Sequence, residues 1–223
     1  MSKTLGENNF FIIVLSFIVI KKLVMIRIIA LIIGYLTITN VAAEPLDQYQ
    51  ILNHLDNYGN LYLRNKPYTS LPSGLIVDGN LNIENTAITR LPKGLEVNGS
   101  LKASNSQLTR VPTGIKIKGY ADLIGSQITS WPRGVRVGGF INLTDTPLQR
   151  LPNGFRVKGD LSVIRTPLTE LPNGIVIDGD LYIGGSAITE FPDTMTVKGN
   201  IYLGGNAVTT WPTNLELGGA VAR

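Results

Sequence analysis

From residue 51 to residue 223 the chain repeats every twenty residues, with no insertion or deletion to break the register. Starting at Leu71 the copies read LPSGLIVDGNLNIENTAITR, LPKGLEVNGSLKASNSQLTR, VPTGIKIKGYADLIGSQITS, WPRGVRVGGFINLTDTPLQR, LPNGFRVKGDLSVIRTPLTE, LPNGIVIDGDLYIGGSAITE and FPDTMTVKGNIYLGGNAVTT. A partial copy, WPTNLELGGAVAR, closes the chain, and Leu55, Gly59, Leu61 and Leu63 mark residues 51–70 as a degenerate first copy. A fixed period of this length means a solenoid, because one such unit cannot bury its own apolar face and must stack on its neighbours.

Each repeat position has a physical reading. Position 2 is always proline, from Pro72 to Pro212, which fixes an extended corner and excludes a helix there. Position 9 is always glycine, from Gly59 to Gly219, so the backbone there either has positive φ or has no room for a Cβ. Positions 5, 7, 11 and 13 alternate apolar with polar residues, as in Leu75, Val77, Leu81 and Ile83. That period of two predicts short strands with one face inward. Positions 1 and 18 complete the expected core. Position 16 is small and polar (Thr86, Ser106, Ser126, Thr146, Thr166, Ser186, Asn206) and is expected to hydrogen-bond the backbone of the adjacent coil and to hold the turn. The expected fold class is therefore mostly all-β, a solenoid of 20-residue coils with no regular helix in the repeats.

Composition narrows the chemistry. The absence of cysteine excludes a disulfide scaffold, a thiol nucleophile and a cysteine-ligated zinc site. The single histidine, His54, leaves a serine–histidine relay one candidate base and a multi-histidine metal site none. His54 falls in the degenerate first copy, where a surface residue of the capping region is expected rather than a base. Paired carboxylates such as Asp178 and Asp180 recur with the repeat rather than converging on a site. No catalytic residue, cofactor or metal is expected, and a β-helical polysaccharide hydrolase or lyase is the best enzyme alternative.

Positions 11 to 22 spell LxIxxTxITxLP through Leu81, Ile83, Thr86, Ile88, Leu91 and Pro92. This resembles the leucine-rich repeat LxLxxNxLxxLP, with Thr or Ser at the Asn position. The twenty-residue period and the LP step are similar to the repeats of the bacterial YopM/IpaH effector family. The resemblance covers residues 51–223 and implies a leucine-rich-repeat-like solenoid presenting a binding surface. IpaH-type proteins carry a cysteine-dependent ubiquitin ligase domain after the repeats; this sequence has neither a cysteine nor such a segment. The LPxGLxVxGxL half also departs from the effector pattern, so no functional residue is carried across.

Two outward stripes are candidates for ligand contact. Positions 10, 12 and 14 flank the leucine-rich strand, and there Tyr120, Phe140, Tyr182 and Tyr202 stand with Asp122 and Asn142, a composition suited to protein or glycan recognition. Strand preference and cross-coil stacking explain the same aromatics without a ligand. The second stripe is basic: Lys116, Lys118, Arg133, Arg136, Arg156 and Lys158 occupy positions 3, 6 and 8 of three successive coils. Like charges so stacked repel unless solvent or an anion lies between them. Phosphate, sulfate or lipid headgroups fit such a stripe; nucleic acid is disfavoured, because no aromatic platform accompanies it. A solvated face is the bland alternative. A third column, position 19, is threonine from Thr69 to Thr209 except for Gln149; strand preference accounts for it, although a flat threonine row can also order water or ice.

Residues 1–43 carry Lys3, Lys21, Lys22 and Arg27 against Glu7, so most of the net charge of +4 lies there and the repeats are nearly neutral. From Met25, an alternative start, Arg27, the apolar run 28–38 and Val41-Ala42-Ala43 read as a secretory signal cleaved after Ala43. The expected organisation is a leader over 1–43, an N-terminal cap over 44–58, and a solenoid over 59–223 of about eight coils, the last incomplete. The product is expected to be secreted or periplasmic; an uncleaved leader makes it membrane-anchored, the only expected membrane contact. The incomplete last coil is expected to lack a polar cap and to favour self-association. The expected function is non-enzymatic: an exported repeat protein that presents a protein- or glycan-binding surface. The alternatives are a type III-style host-directed effector without a catalytic domain, and a structural or truncated remnant.

Overall fold

Alternation at positions 5 to 7 and 11 to 13 produces two short strand segments in each copy, and the computed structural model, which describes residues 44–223, stacks them in parallel. The leucine-rich segments form one nine-stranded sheet, from Leu61–Tyr62 through Ala121–Asp122 to Val221–Ala222. Its register is the repeat itself: Leu61 faces Leu81, Leu81 faces Leu101, and Ile201 faces Val221. The result is a parallel β-solenoid of nine rungs, with Leu61–Tyr62 of the degenerate first copy already pairing as a full strand. The signal peptide, Met25 start and membrane anchor lie outside the described residues. Among the described residues no helix is long and apolar enough to cross a membrane.

The expected inward columns form the core. Leu81, Ile83, Ile88, Leu91 and Leu95 are fully buried, and their equivalents repeat along the axis. Each buried aliphatic side chain is worth roughly 1.5–3 kcal/mol before chain entropy is counted, so the core is the sum of many similar rungs. Before the first repeat, Glu44–Pro45 pairs in parallel with Tyr68–Ser70, and a 3₁₀ turn spans Gln50–His54. His54 Nε2 hydrogen-bonds the Tyr68 hydroxyl at 2.8 Å with their rings edge to face, tying this segment to the first rung. Burial, and then Lys66, hold its imidazole below the ordinary histidine range.

Glycine at position 9 is explained by lack of space. Gly179 has ordinary φ, but a Cβ there would meet Asp160 Oδ1 at 2.1 Å and the Gly159 carbonyl carbon at 2.7 Å. That oxygen belongs to a ladder along position 10, in which each side chain accepts the backbone N–H one coil later. Asn60 Oδ1 accepts from Asn80 at 2.7 Å, Asn80 from Ser100 at 2.8 Å, and Asp180 from Asn200 at 2.6 Å. Apart from Gly59 (φ +73°) in the degenerate first copy, positive φ falls instead at position 4, as in Gly74 (φ +70°), and at position 15, where Asn65, Asn85, Asn105, Asp145 and Arg165 adopt it as well as glycine. Asn and Asp tolerate that region better than other side chains do.

Four hydroxyls of position 16 hold the turn as expected, without reaching the backbone of the adjacent coil. Thr86, Ser106, Thr146 and Thr166 each donate to the carbonyl three residues earlier in their own coil, at 2.7–2.8 Å, so they close the turn rather than bridge coils. Only the longer Asn206 reaches across, donating to the Ser186 and Ile188 carbonyls.

Candidate ligand-binding faces

The position 5 to 8 segments are not continuous. Ile76–Val77, Glu96–Val97, Lys116–Ile117 and Arg136–Val137 form one four-stranded sheet, and Arg156–Val157, Ile175–Ile177, Thr194–Val197 and Asn214–Leu217 form another. At the intact junctions position 8 and position 9 donate to the preceding coil, as Asp178 does to Val157 and Gly179 to Gly159. At the interrupted junction the N–H groups of Arg156, Lys158 and Gly159 make no such bond. Bulk accounts for the break. Trp131 and Phe155 replace aliphatic residues in adjacent coils and pack edge to face at 6.3 Å, and Val135 between them is only half-buried.

The basic stripe straddles this break. Lys116, Lys118, Arg136, Arg156 and Lys158 line a depression of about 430 Å³ whose apolar residues are Ile117, Val135 and Val137. Gly138 contributes no side chain, and none fits, since a Cβ would meet the Lys118 carbonyl oxygen at 1.9 Å. Arg133 is exposed but does not line the depression. Away from the centre of the stripe, cations are neutralised one coil away: Lys116 by Glu96, Lys198 by Asp178 at 2.6 Å, and Arg165 by Asp145. Lys118, Arg136, Arg156 and Lys158 have no ion pair among the described residues.

On the long sheet the predicted aromatics form two separate pairs. Tyr120 stacks on Phe140 at 4.4 Å and 9°, and Tyr182 on Tyr202 at 4.7 Å and 3°. The coil of Asp160 and Ser162 lies between them, so the four rings do not make one patch. Tyr120 and Phe140 occupy the ladder position and lack its acceptor, which is why the Asn and Asp ladder stops at the Tyr120 N–H and resumes at Asp160. The Tyr182–Tyr202 pair is flanked by Gly184, Gly185, Gly204 and Gly205, which leave one side open. The Tyr182 hydroxyl donates to Asp180 Oδ2 at 3.2 Å; burial, then this bond and the nearby carboxylates, push its phenol up to about 12.

Asp122 and Asn142 are register neighbours on the same face. The Asn142 side chain folds back to accept the Thr144 N–H, whereas Asp122 Oδ1 is buried with no hydrogen-bond partner. Burial pushes the Asp122 carboxyl up, and Glu84 adds to the rise, against the opposing pull of Ile124, Ser104 and Lys102. In the threonine column, Thr109 and Thr209 turn their hydroxyls onto the carbonyls of Thr89 and Thr189, a coil-to-coil structural use. Among the described residues no cluster of three or more histidine, aspartate or glutamate side chains is arranged to hold a metal ion.

Sequence reasoning found the cations and the aromatics but missed the open junction and the glycine shoulder beside Tyr182 and Tyr202. The paired glycines at positions 14 and 15 were a readable signal for the shoulder. No protein-family model, curated protein or solved structure matches the chain.

Proposed function

We propose that the solenoid is a non-enzymatic recognition module that holds a protein or glycan ligand against the outward face of its nine-stranded sheet. The observation that carries this reading is the Tyr182–Tyr202 pair. The two rings are rigid, because each braces the other and the Tyr182 hydroxyl is anchored by Asp180. They remain partly exposed beside glycines that have no side chains to cover them. Aromatic groups already held in place lose little freedom on binding, which favours them as anchors. The match of Leu81, Ile83, Thr86, Ile88, Leu91 and Pro92 to the leucine-rich pattern supports reading the coils as leucine-rich repeats of the short bacterial kind, used for binding alone. Export through the Met25–Ala43 leader belongs to the same proposal and would place the surface outside the cytoplasm.

The test is a glycan and peptide array probed with full-length protein and with Tyr182→Ser/Tyr202→Ser. The double variant should lose at least about tenfold in affinity for the captured ligand, the scale of a buried aromatic anchor, with an unchanged circular dichroism spectrum. Equal binding by both proteins would show that this face is not the contact surface.

A further inference from the structure

We infer that the interrupted junction between Arg136–Val137 and Arg156–Val157 is an anion site for a linear carbohydrate bearing sulfate or phosphate esters. Two independent observations converge there. The first is charge: Lys118, Arg136, Arg156 and Lys158 stand without acidic partners, although the same columns pair Lys116 with Glu96 and Lys198 with Asp178 at either side. The second is the backbone: this is the junction where Arg156, Lys158 and Gly159 do not donate to the preceding coil. Free N–H groups at a sheet edge are anion-binding groups, and Arg and Lys beside them supply charge-assisted hydrogen bonds to tetrahedral oxyanions.

The shape selects the carrier. The coils repeat about every 4.8 Å along the axis, so the cations form a row that a linear chain of esters can follow. Between its charges the half-buried Val135 is the apolar side chain that reaches the depression, above the buried Ile117 and Val137, and it can meet the C–H face of a sugar ring. Nucleic acid would need exposed aromatics to stack its bases, but Trp131 and Phe155 here are buried in the core. A membrane surface would need exposed apolar anchors, and the large exposed apolar side chains, among them Tyr58, Ile76 and Trp211, are absent from the lining. Without a ligand the four unpaired cations repel one another across the open junction; an oxyanion placed between them removes that repulsion. This site lies on a different sheet from the tyrosine pair, so either can fail without the other.

The experiment measures binding of full-length protein, in non-ionic detergent at low salt, to three probes. These are a heparin hexasaccharide, a phosphorylated oligomannose, and vesicles of mixed phosphatidylcholine and phosphatidylglycerol. Arg136→Gln/Arg156→Gln/Lys158→Gln is compared with Arg90→Gln/Arg110→Gln/Arg150→Gln, which removes the same charge from exposed positions elsewhere. The central triple variant should weaken oligosaccharide binding at least about tenfold, with a shallower salt dependence, and the control triple less than about threefold. Tighter binding of heparin assigns sulfate esters, and tighter binding of the oligomannose assigns phosphate. Binding of neither sugar, equal losses in the two variants, or vesicles binding more tightly than either sugar would overturn the inference. Circular dichroism of both variants separates lost binding from lost fold.

Discussion

Asp122 shows how one side chain can stand against the pattern around it. At position 12 the other residues are two amides, one serine hydroxyl, an amine, three tyrosines and an alanine, and Asn82 and Asn142 satisfy themselves by accepting the N–H two residues on. Asp122 leaves one carboxylate oxygen buried without a partner, and its proton is held more tightly than in the unfolded chain. The sign of the linkage follows. A carboxyl whose folded pKa is raised favours the folded state below the ordinary carboxylate range, and that contribution is lost as pH rises through the folded value. Asp122→Asn should therefore raise the midpoint of thermal unfolding at pH 7 and change it little near pH 3. A midpoint lowered at pH 7 would mean that the carboxylate is satisfied by a group not seen here. His54 illustrates a different limit of sequence reading. Its place in the capping region was legible from its position, but its bond to Tyr68 was not, because that contact joins two segments fourteen residues apart.

At the scale of the coil, two glycine columns look alike in sequence and differ in cause. The position 9 glycines pass beneath the side-chain ladder of the preceding coil, and the position 4 glycines make a left-handed turn in open space. Gly179→Ala would drive a methyl group into Asp160 Oδ1 and the Gly159 backbone, and rigid overpacking of that kind costs about 1–3 kcal/mol. Gly74→Ala meets nothing within 4 Å and bears only the left-handed penalty, roughly 1–2 kcal/mol. In urea denaturation both variants should be destabilised. The distinguishing measurement is the amide of Asp180, whose N–H donates to Asp160 Oδ1 at 2.8 Å: its exchange should accelerate in Gly179→Ala alone. Where position 4 is Thr194 or Asn214 instead of glycine, the strand lengthens to four residues, Thr194–Val197 and Asn214–Leu217, so the turn and the strand are alternatives at this corner.

For the solenoid of residues 44–223, stability is carried between neighbouring rungs, and a weak junction is felt as a seam. Each missing backbone hydrogen bond forfeits roughly 0.5–1.5 kcal/mol, and the junction before Arg156 lacks three that its neighbours make. Native-state hydrogen exchange should therefore show the amides of Arg156, Lys158 and Gly159 exchanging at least about tenfold faster than those of Val176, Asp178 and Gly179. Uniform protection along both sheets would show that the seam closes in solution. The strand pattern, the inward columns and the parallel register could be read directly from the residues. Alternation decides which side chains face inward, and an unbroken twenty-residue period leaves one way to stack identical units. The candidate faces were legible only as columns of residue types. Whether four tyrosine and phenylalanine rings form one patch or two pairs depends on Asp160 and Ser162 between them, and whether a cation is neutralised depends on an acid one coil away. The open junction was decided by tertiary structure alone: Trp131 and Phe155 must share core volume across coils, and cations must stack above them. Those are long-range steric and electrostatic terms, and no local propensity in either coil records them.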